Sequence, residues 1–248
     1  MNAQLKICAV IPTYNNAGTL ASVLDGVYKY ISEIIVVNDG STDSTSALLA
    51  ASKLKFTLIE FASNRGKGAA LKAGLRKARE LGFDYALTID SDGQHFPSDI
   101  PAFMDAISEN PGALILGSRN LQAENMPSGS TFANRFSNFW FTVQTAKKLP
   151  DTQTGFRAYP LRNLPCLGLL TRRYEAELEL LVFSAWRGVR LIPVPVRVIY
   201  PEDRVSSFRP GADFTRISIL NTILCLLAII YGYPRMLIHK LLNKENRM

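Results

Sequence analysis

Cysteine is scarce in this chain: three residues in 248, Cys8, Cys166 and Cys225, all far apart. An odd count with no close spacing excludes a disulfide framework and a cysteine-held zinc site, and suits reduced thiols in a cytosolic compartment. Common nucleotide-binding signatures are missing too. Gly66-Lys67-Gly68 is not followed by Ser or Thr, so there is no phosphate loop. The third position of a dinucleotide fingerprint begun there is Leu71, and the motif would follow a third strand, so a nicotinamide or flavin site is excluded as well. No secretory signal precedes the first apolar run, Lys6–Ile11, and the protein is expected to work on the cytoplasmic side. Finally, charge is absent from Ile217 to Pro234, a run bracketed by Arg216 and Arg235.

What is present describes a globular chain, with 47% apolar and 20% charged residues, long enough for one large α/β domain with a sizeable core. The net charge of +7 is compatible with nucleic acid, an anionic membrane surface or phosphate-bearing substrates. The motifs decide among these, and they point away from nucleic acid.

The most informative stretch is Tyr85-Ala-Leu-Thr-Ile-Asp90-Ser-Asp92-Gly-Gln94-His95. An apolar run that ends in two carboxylates one residue apart places them at the rim of a sheet, where open α/β sheets bind ligands. Hard oxygen ligands at Asp90 and Asp92, with the Gln94 amide behind, suit Mg²⁺ or Mn²⁺ sharing its shell with phosphate oxygens. A solvated acidic turn is the bland alternative. A calcium loop of the EF-hand kind fails, because its fifth, sixth and twelfth positions are Gln94, His95 and Pro101. A phosphatase of the haloacid dehalogenase class would need a later acidic pair, and the chain has no adjacent Asp-Asp.

Along the chain, apolar runs at Lys6–Ile11, Ile34–Val37, Phe56–Phe61, Tyr85–Ile89 and Ala113–Leu116 read as buried strands. Helical spacing follows most of them, as with Leu20, Val23, Leu24, Val27 and Tyr28. Five alternations with short connections predict a mostly parallel sheet covered on both faces. Tyr14-Asn15-Asn16, Asp39, the Asn64–Gly68 loop, Asp90, Asp92 and Arg119 all follow strands, so all can face one rim. Farther on, Phe132, Phe136, Phe139, Trp140 and Val143 share a helical face, which suits either the core or a lipid surface. Asp151–Arg157 reads as a polar loop. Arg173–Arg187 reads as a helix with Glu175, Glu177 and Glu179 on its solvated side. Val189–Tyr200, with Pro193 and Pro195, reads as an edge strand.

The charge-free run is marginal for a membrane span, which needs roughly 20 apolar residues. Ser218, Asn221 and Thr222 weaken it, whereas Arg235, His239, Lys240, Lys244 and Arg247 suit a cytoplasmic membrane face. Membrane attachment is expected, and both a spanning and an in-plane placement fit. The domain division expected is 1–210 for a catalytic domain and 211–248 for a membrane-associated segment.

With these residues in view, the chain resembles the family-2 glycosyltransferases of GT-A fold, and among them the polyprenyl-phosphate (dolichyl-phosphate) mannose or glucose synthases. The resemblance covers about residues 5–205. It rests on Val10-Ile-Pro-Thr-Tyr-Asn15, Val36-Val-Asn-Asp-Gly-Ser41, Asn64-Arg-Gly-Lys-Gly68, Asp90-Ser-Asp-Gly-Gln-His95, Gly117-Ser-Arg119 and Thr154-Gly-Phe-Arg157. It implies an inverting transfer of a hexose from a GDP- or UDP-sugar to a lipid phosphate. Pro12, Tyr14 and Asp39 match positions that hold base and ribose, with Asn16 standing where the family usually has Glu. Asp90, Asp92 and Gln94 match the diphosphate and metal positions, and Lys67 lies in the loop that can touch donor phosphate. Arg119 and Arg135 match an acceptor-phosphate clamp, and Arg204 matches an arginine of a late loop that closes on the donor. A hydroxyl acceptor would instead need a general base, for which Asp151 is the candidate.

Overall fold

The computed structural model describes residues 5–120, 128–164, 171, 173, 175–199 and 210–245. Cys166, Tyr200, Arg204 and Arg247, named above, lie outside the described residues.

Seven strands form one sheet: β1 (Ile7–Thr13), β2 (Ile34–Asn38), β3 (Thr57–Glu60), β4 (Tyr85–Thr88), β5 (Leu114–Arg119), β6 (Arg157–Pro160) and β7 (Leu191–Val196). Their order across the sheet is β3-β2-β1-β4-β6-β5-β7. β1, β2, β3 and β4 run parallel, as do β5 and β7, and β6 runs antiparallel to both β4 and β5. The expected parallel half is therefore present. β7 is the edge strand, where Pro193 and Pro195 remove no interior ladder bond. β6 was not expected, because Arg157-Ala-Tyr-Pro160 is short and begins with a charge. That charge is buried: the Arg157 guanidinium donates to the carbonyls of Thr154, Glu177 and Thr152.

The helices are α1 (Ala17–Tyr28), α2 (Thr45–Ala51), α3 (Lys67–Glu80), α4 (Ile100–Glu109), α5 (Ser128–Thr145), α6 (Glu175–Trp186), α7 (Pro210–Leu227) and α8 (Tyr233–Glu245). Leu20, Val23, Leu24 and Val27 of α1 and Ile100, Phe103 and Ile107 of α4 pack on one sheet face with Ile11, Val36 and Leu87. Leu71 and Leu75 of α3, Leu181 and Trp186 of α6, and Leu220 and Leu224 of α7 pack on the other with Val10, Val37 and Leu116. Residues alternate in direction along a strand, which is why neighbours such as Val10 and Ile11 serve opposite layers.

One helix departs from the sequence expectation, and another decides between the two readings the sequence left open. α6 has no solvated side: Glu175, Glu177 and Glu179 are 6%, 7% and 1% exposed. Glutamates at i, i+2 and i+4 spread over more than half the helix circumference, so they cannot share one face, and α6 is covered all round. α5 is inverted relative to a core helix. Its buried side carries Asn134, Ser137, Phe141, Gln144 and Thr145, and Phe139 is 59% exposed.

At the C-terminus α7 continues through a π-helical turn, Ala228–Gly232, into α8. Pro234 has no N–H to offer the preceding turn, which suits a wider turn there. Leu220, Asn221, Leu224, Ala228 and Gly232 form its buried stripe. Gln144 Nε2 donates to Asn221 Oδ1 at 2.9 Å, and Gly232 lies flat on Trp186, where a Cβ would come within 2.5 Å of the indole. The opposite stripe, Ile219, Ile223, Leu226, Ile230, Leu237 and Leu241, is exposed.

Candidate functional site

The ends of β1, β2, β4 and β5 meet at one rim, as parallel strands with short connections require. The rim begins with Pro12, buried in β1 opposite Val37, and continues through the half-buried Tyr14. Asn15 adopts a left-handed conformation with φ 53°, and its side-chain oxygen receives the Thr42 N–H at 2.7 Å. Asn16 turns the other way. Its amide donates to Ser91 Oγ at 2.8 Å, so the β1 loop is stitched to the carboxylate loop.

Asp39 is 3% exposed and accepts the backbone N–H groups of Arg65 and Gly66 at 2.7 and 2.9 Å. Burial pushes its carboxyl above the usual range, and the two N–H groups offset part of that. Its first task in this structure is thus to hold the glycine loop. Gly66 has φ 95°, which an L side chain rarely adopts, and the following residue starts α3.

That residue is Lys67. Its ammonium lies 2.9 Å from both Asp90 oxygens and 3.3 Å from Glu177 Oε2. Burial works against the charge, but Asp90 and Glu177 outweigh it and raise the lysine pKa. Burial would likewise raise Asp90, yet the charges of Lys67, first, and Arg157 hold its carboxyl below the ordinary value. Gly155 makes the approach possible: a Cβ there would stand 2.5 Å from Asp90 Oδ2 and 2.9 Å from Lys67 Nζ. Asp92 Oδ1 caps its own turn by accepting the Gln94 N–H at 3.0 Å, and the Gln94 carbonyl accepts from Ile199 N. His95 is buried beside Asp90 and stays neutral, its pKa pushed down to about 4 by burial.

These groups fit a divalent cation. Among the described residues Asp90 takes hydrogen bonds from Lys67 alone, and its carboxyl is held deprotonated, as an oxygen ligand must be. Among the same residues no three His, Cys, Asp or Glu side chains converge as a metal cage. An ion held by Asp90, Asp92 and the Gln94 amide would take remaining oxygens from phosphate, as Mg²⁺ and Mn²⁺ commonly do.

Across the rim, Arg119 at the end of β5 meets Asp151. Arg119 Nε and Nη2 donate to the two oxygens at 2.6 and 3.0 Å. The amide of Asn134 and the N–H of Gln153 add contacts of 2.6 and 3.0 Å. Burial raises the Asp151 pKa, but the Arg119 contacts outweigh it and hold the carboxyl below the usual range. A general base needs an available proton site of matched affinity, and this carboxylate has neither. The expected base is, in this structure, the counter-ion of Arg119. Arg135 sits one residue after Asn134 on α5 and is exposed. Lys67, Asp39 and the two aspartates of the β4 end are thus brought together as expected, and Arg135 stands at the adjoining aromatic surface. Glu177 was missed. The glutamate spacing in an otherwise apolar helix was the signal that could have found it.

The profile of the family described as "Glycosyl transferase family 2" matches residues 8–162, more than half of the chain. A UDP-N-acetylglucosamine–dolichyl-phosphate N-acetylglucosaminyltransferase of Methanococcus voltae is 30% identical over 221 residues, covering 81% of this chain and 88% of its own. An undecaprenyl-phosphate mannosyltransferase of Micrococcus luteus is 25% identical, covering 80% of this chain and 85% of its own. Among solved structures, glucosyl-3-phosphoglycerate synthase of Mycobacterium tuberculosis, in complex with Mn²⁺, UDP-glucose and phosphoglyceric acid, superposes with a TM-score of 0.65. It is 20% identical, with 90% of this chain and 79% of that one covered.

Proposed function

Because the chain belongs to glycosyl transferase family 2 and has the GT-A fold, we propose that it moves a hexose, with inversion, from a nucleoside-diphosphate sugar to a lipid phosphate, most simply a polyprenyl phosphate. The observation that carries this reading is the rim itself: two metal-suited aspartates at the end of β4, and a basic side chain, Arg135, on a helix with an exposed aromatic face. The relatives' action on dolichyl and undecaprenyl phosphates supports the acceptor class.

Pro12, Tyr14, Asn16 and Asp39 form the side of the rim assigned to base and ribose. Asp39 would meet the ribose only while also holding the glycine loop. Asp90, Asp92 and Gln94 face the diphosphate through Mg²⁺ or Mn²⁺, which when bound supplies neutralisation of the charge left on the departing nucleoside diphosphate. Arg135, with Arg119 fixed behind it by Asp151, receives the acceptor phosphate, and Arg204 is assigned to closure over the donor. A phosphate oxygen is already anionic, so the transfer needs two anions held together more than it needs a base. The state of Asp151 favours this over a hydroxyl acceptor.

The domain boundary near 210 and the membrane partner belong to the same reading. Thr215–Leu242 is long and apolar enough to cross a membrane. A helix that keeps one stripe on the sheet domain cannot pass through a bilayer over the same length. It lies in the cytoplasmic interface instead, with Ile219, Ile223, Leu226 and Ile230 toward lipid beside Phe139 of α5.

The test is release of nucleoside diphosphate from a panel of GDP- and UDP-sugars by the full chain in liposomes, with polyprenyl phosphate or the same lipid as a free alcohol. Turnover should require both a divalent ion and the phosphate form. Equal rates with alcohol and phosphate would overturn the acceptor assignment.

A further inference from the structure

Glu177 is a buried carboxylate that the transfer as described does not use. It comes from α6, far along the chain from the β4 aspartates, and it is held firmly. Arg157 Nη1 donates to its backbone carbonyl at 2.8 Å, which pins this turn of α6 against β6. Its Oε2 lies 3.3 Å from Lys67 Nζ, while the same ammonium lies 2.9 Å from each oxygen of Asp90. One cation therefore stands between two carboxylates and leans on the one that the divalent ion needs.

An ammonium and a divalent ion on the same oxygens of Asp90 repel at contact distance, so each weakens the other's hold on that carboxylate. Arrival of the ion therefore drives Lys67 away from Asp90. It cannot simply leave, since a buried ammonium without a counter-charge is costly. A second carboxylate within a small side-chain movement resolves the conflict.

We propose that Lys67 is a resident cation on Asp90 that withdraws onto Glu177 when a divalent ion binds, so that Glu177 acts as a positioning residue that sets metal affinity. This rests on the assignment of Asp90 and Asp92 to the metal. The occupied site then holds the ion between Asp90 and Asp92 while Lys67 pairs with Glu177, and the empty site is kept closed by an internal cation. The exchange links the glycine loop to donor loading, because Lys67 opens α3 directly after Gly66.

The experiment is a double-mutant cycle read by Mn²⁺ affinity rather than activity. The electron paramagnetic resonance signal of free Mn²⁺ is titrated with full-length protein in detergent, alone and with UDP or GDP. Lys67→Met should tighten Mn²⁺ binding. Glu177→Gln should weaken it about tenfold, a coupling ordinary for members of one ion-pair network. In the Lys67→Met background, Glu177→Gln should have little effect, because its influence passes through the lysine. Glu177→Asp, which keeps the charge but shortens the reach, should weaken binding as Glu177→Gln does if the exchange operates.

Equal losses from Glu177→Gln in both backgrounds would reduce Glu177 to a distant negative charge and overturn the exchange. Wild-type affinity in Glu177→Asp would do the same. Mn²⁺ binding that is absent from the wild type, or unchanged in Asp92→Ala, would overturn the metal site itself and the exchange with it. A binding loss in Asp92→Ala combined with equal Glu177 effects would leave the metal site standing and remove the exchange alone.

Discussion

Two aspartates at the same rim are each held by a basic side chain, and the manner of holding differs. Asp151 receives the backbone N–H and two guanidinium nitrogens of Arg119, the Asn134 amide and the Gln153 N–H, which more than fill the roughly four acceptor positions of a carboxylate. Among the described residues Asp90 is hydrogen-bonded by one ammonium, and Glu177 draws on the same ammonium. The first arrangement is a strut, and the second can exchange its cation. Residue type does not distinguish them, since both are Asp-cation pairs at strand ends. The number of donors does, and it separates a group that fixes β5 against α5 from one poised for a ligand.

The largest test of that contrast is at the exchangeable end. Asp92→Ala should lower turnover on the order of a thousandfold, because the departing diphosphate loses several kcal/mol of stabilisation. Its melting curve should stay near that of the wild type. Full turnover in excess chelator would erase the distinction between the two aspartates.

At the strut, the loss should appear in stability instead. Asp151→Asn leaves Arg119 without its counter-charge and should cost about 3 kcal/mol, the lower end for a buried pair because Arg119 keeps some solvent contact. The same pair sets a pH dependence. The folded Asp151 carboxyl lies below its unfolded value of 3.8, so its contribution is complete above that value and is lost as pH falls through the lower, folded one. Melting temperatures of wild type and Asp151→Asn should therefore converge in strong acid and differ at neutral pH. A constant gap across that range would deny the ion pair its role.

Arg135 sharpens the comparison from the acceptor side. Arg135→Ala should raise the apparent acceptor constant about ten- to a hundredfold, as for a lost charge-assisted phosphate contact, with donor binding nearly unchanged. Arg135→Lys should recover part of this, because an ammonium lacks the bidentate fork. An unchanged acceptor constant in Arg135→Ala would make this arginine an ordinary surface charge.

The smallest effects on folding should come from the lipid-facing stripe. Ile230→Asn and Phe139→Ser alter side chains that are 74% and 59% exposed, so each should shift stability by no more than about 0.5 kcal/mol. Each should nevertheless reduce co-sedimentation with liposomes. Removing everything beyond 210 is a coarser test, because it also uncovers Trp186. Undiminished liposome binding by the double variant would move the membrane contact elsewhere.

Much of this was legible in the sequence. The apolar runs before Asp39, Asp90 and Arg119 are strands, or abut them, because a buried parallel strand has to be apolar on both faces. Their polar ends gather at one rim because short right-handed crossovers leave no alternative. β6 was illegible: four residues starting with arginine carry no strand period, and only the carbonyls around Arg157 make its burial tolerable. The face of α5 was undecided in the sequence, which suited both the core and a lipid surface. Aromatic residues ordinarily mark the inside, but Asn134, Ser137 and Gln144 find partners within the fold, which leaves Phe139 exposed and Phe136 and Trp140 half-buried.

The sequence by itself determined the chemistry available: two hard carboxylates behind a buried strand and a glycine loop with one lysine at the rim, and a charge-free run from Ile217 to Pro234 with basic flanks. These are local properties, set by strand period, turn chemistry and composition. Only the tertiary structure decided how the charges were shared. Lys67 meets Glu177 because α3 and α6 lie on the same sheet face, and Arg119 meets Asp151 because β5 and the loop before β6 are adjacent in the sheet order. Such pairs join residues far apart in the chain, and no local pattern records them. Burial then gives each pair its character, since a charge out of water keeps whatever partner the packing supplies.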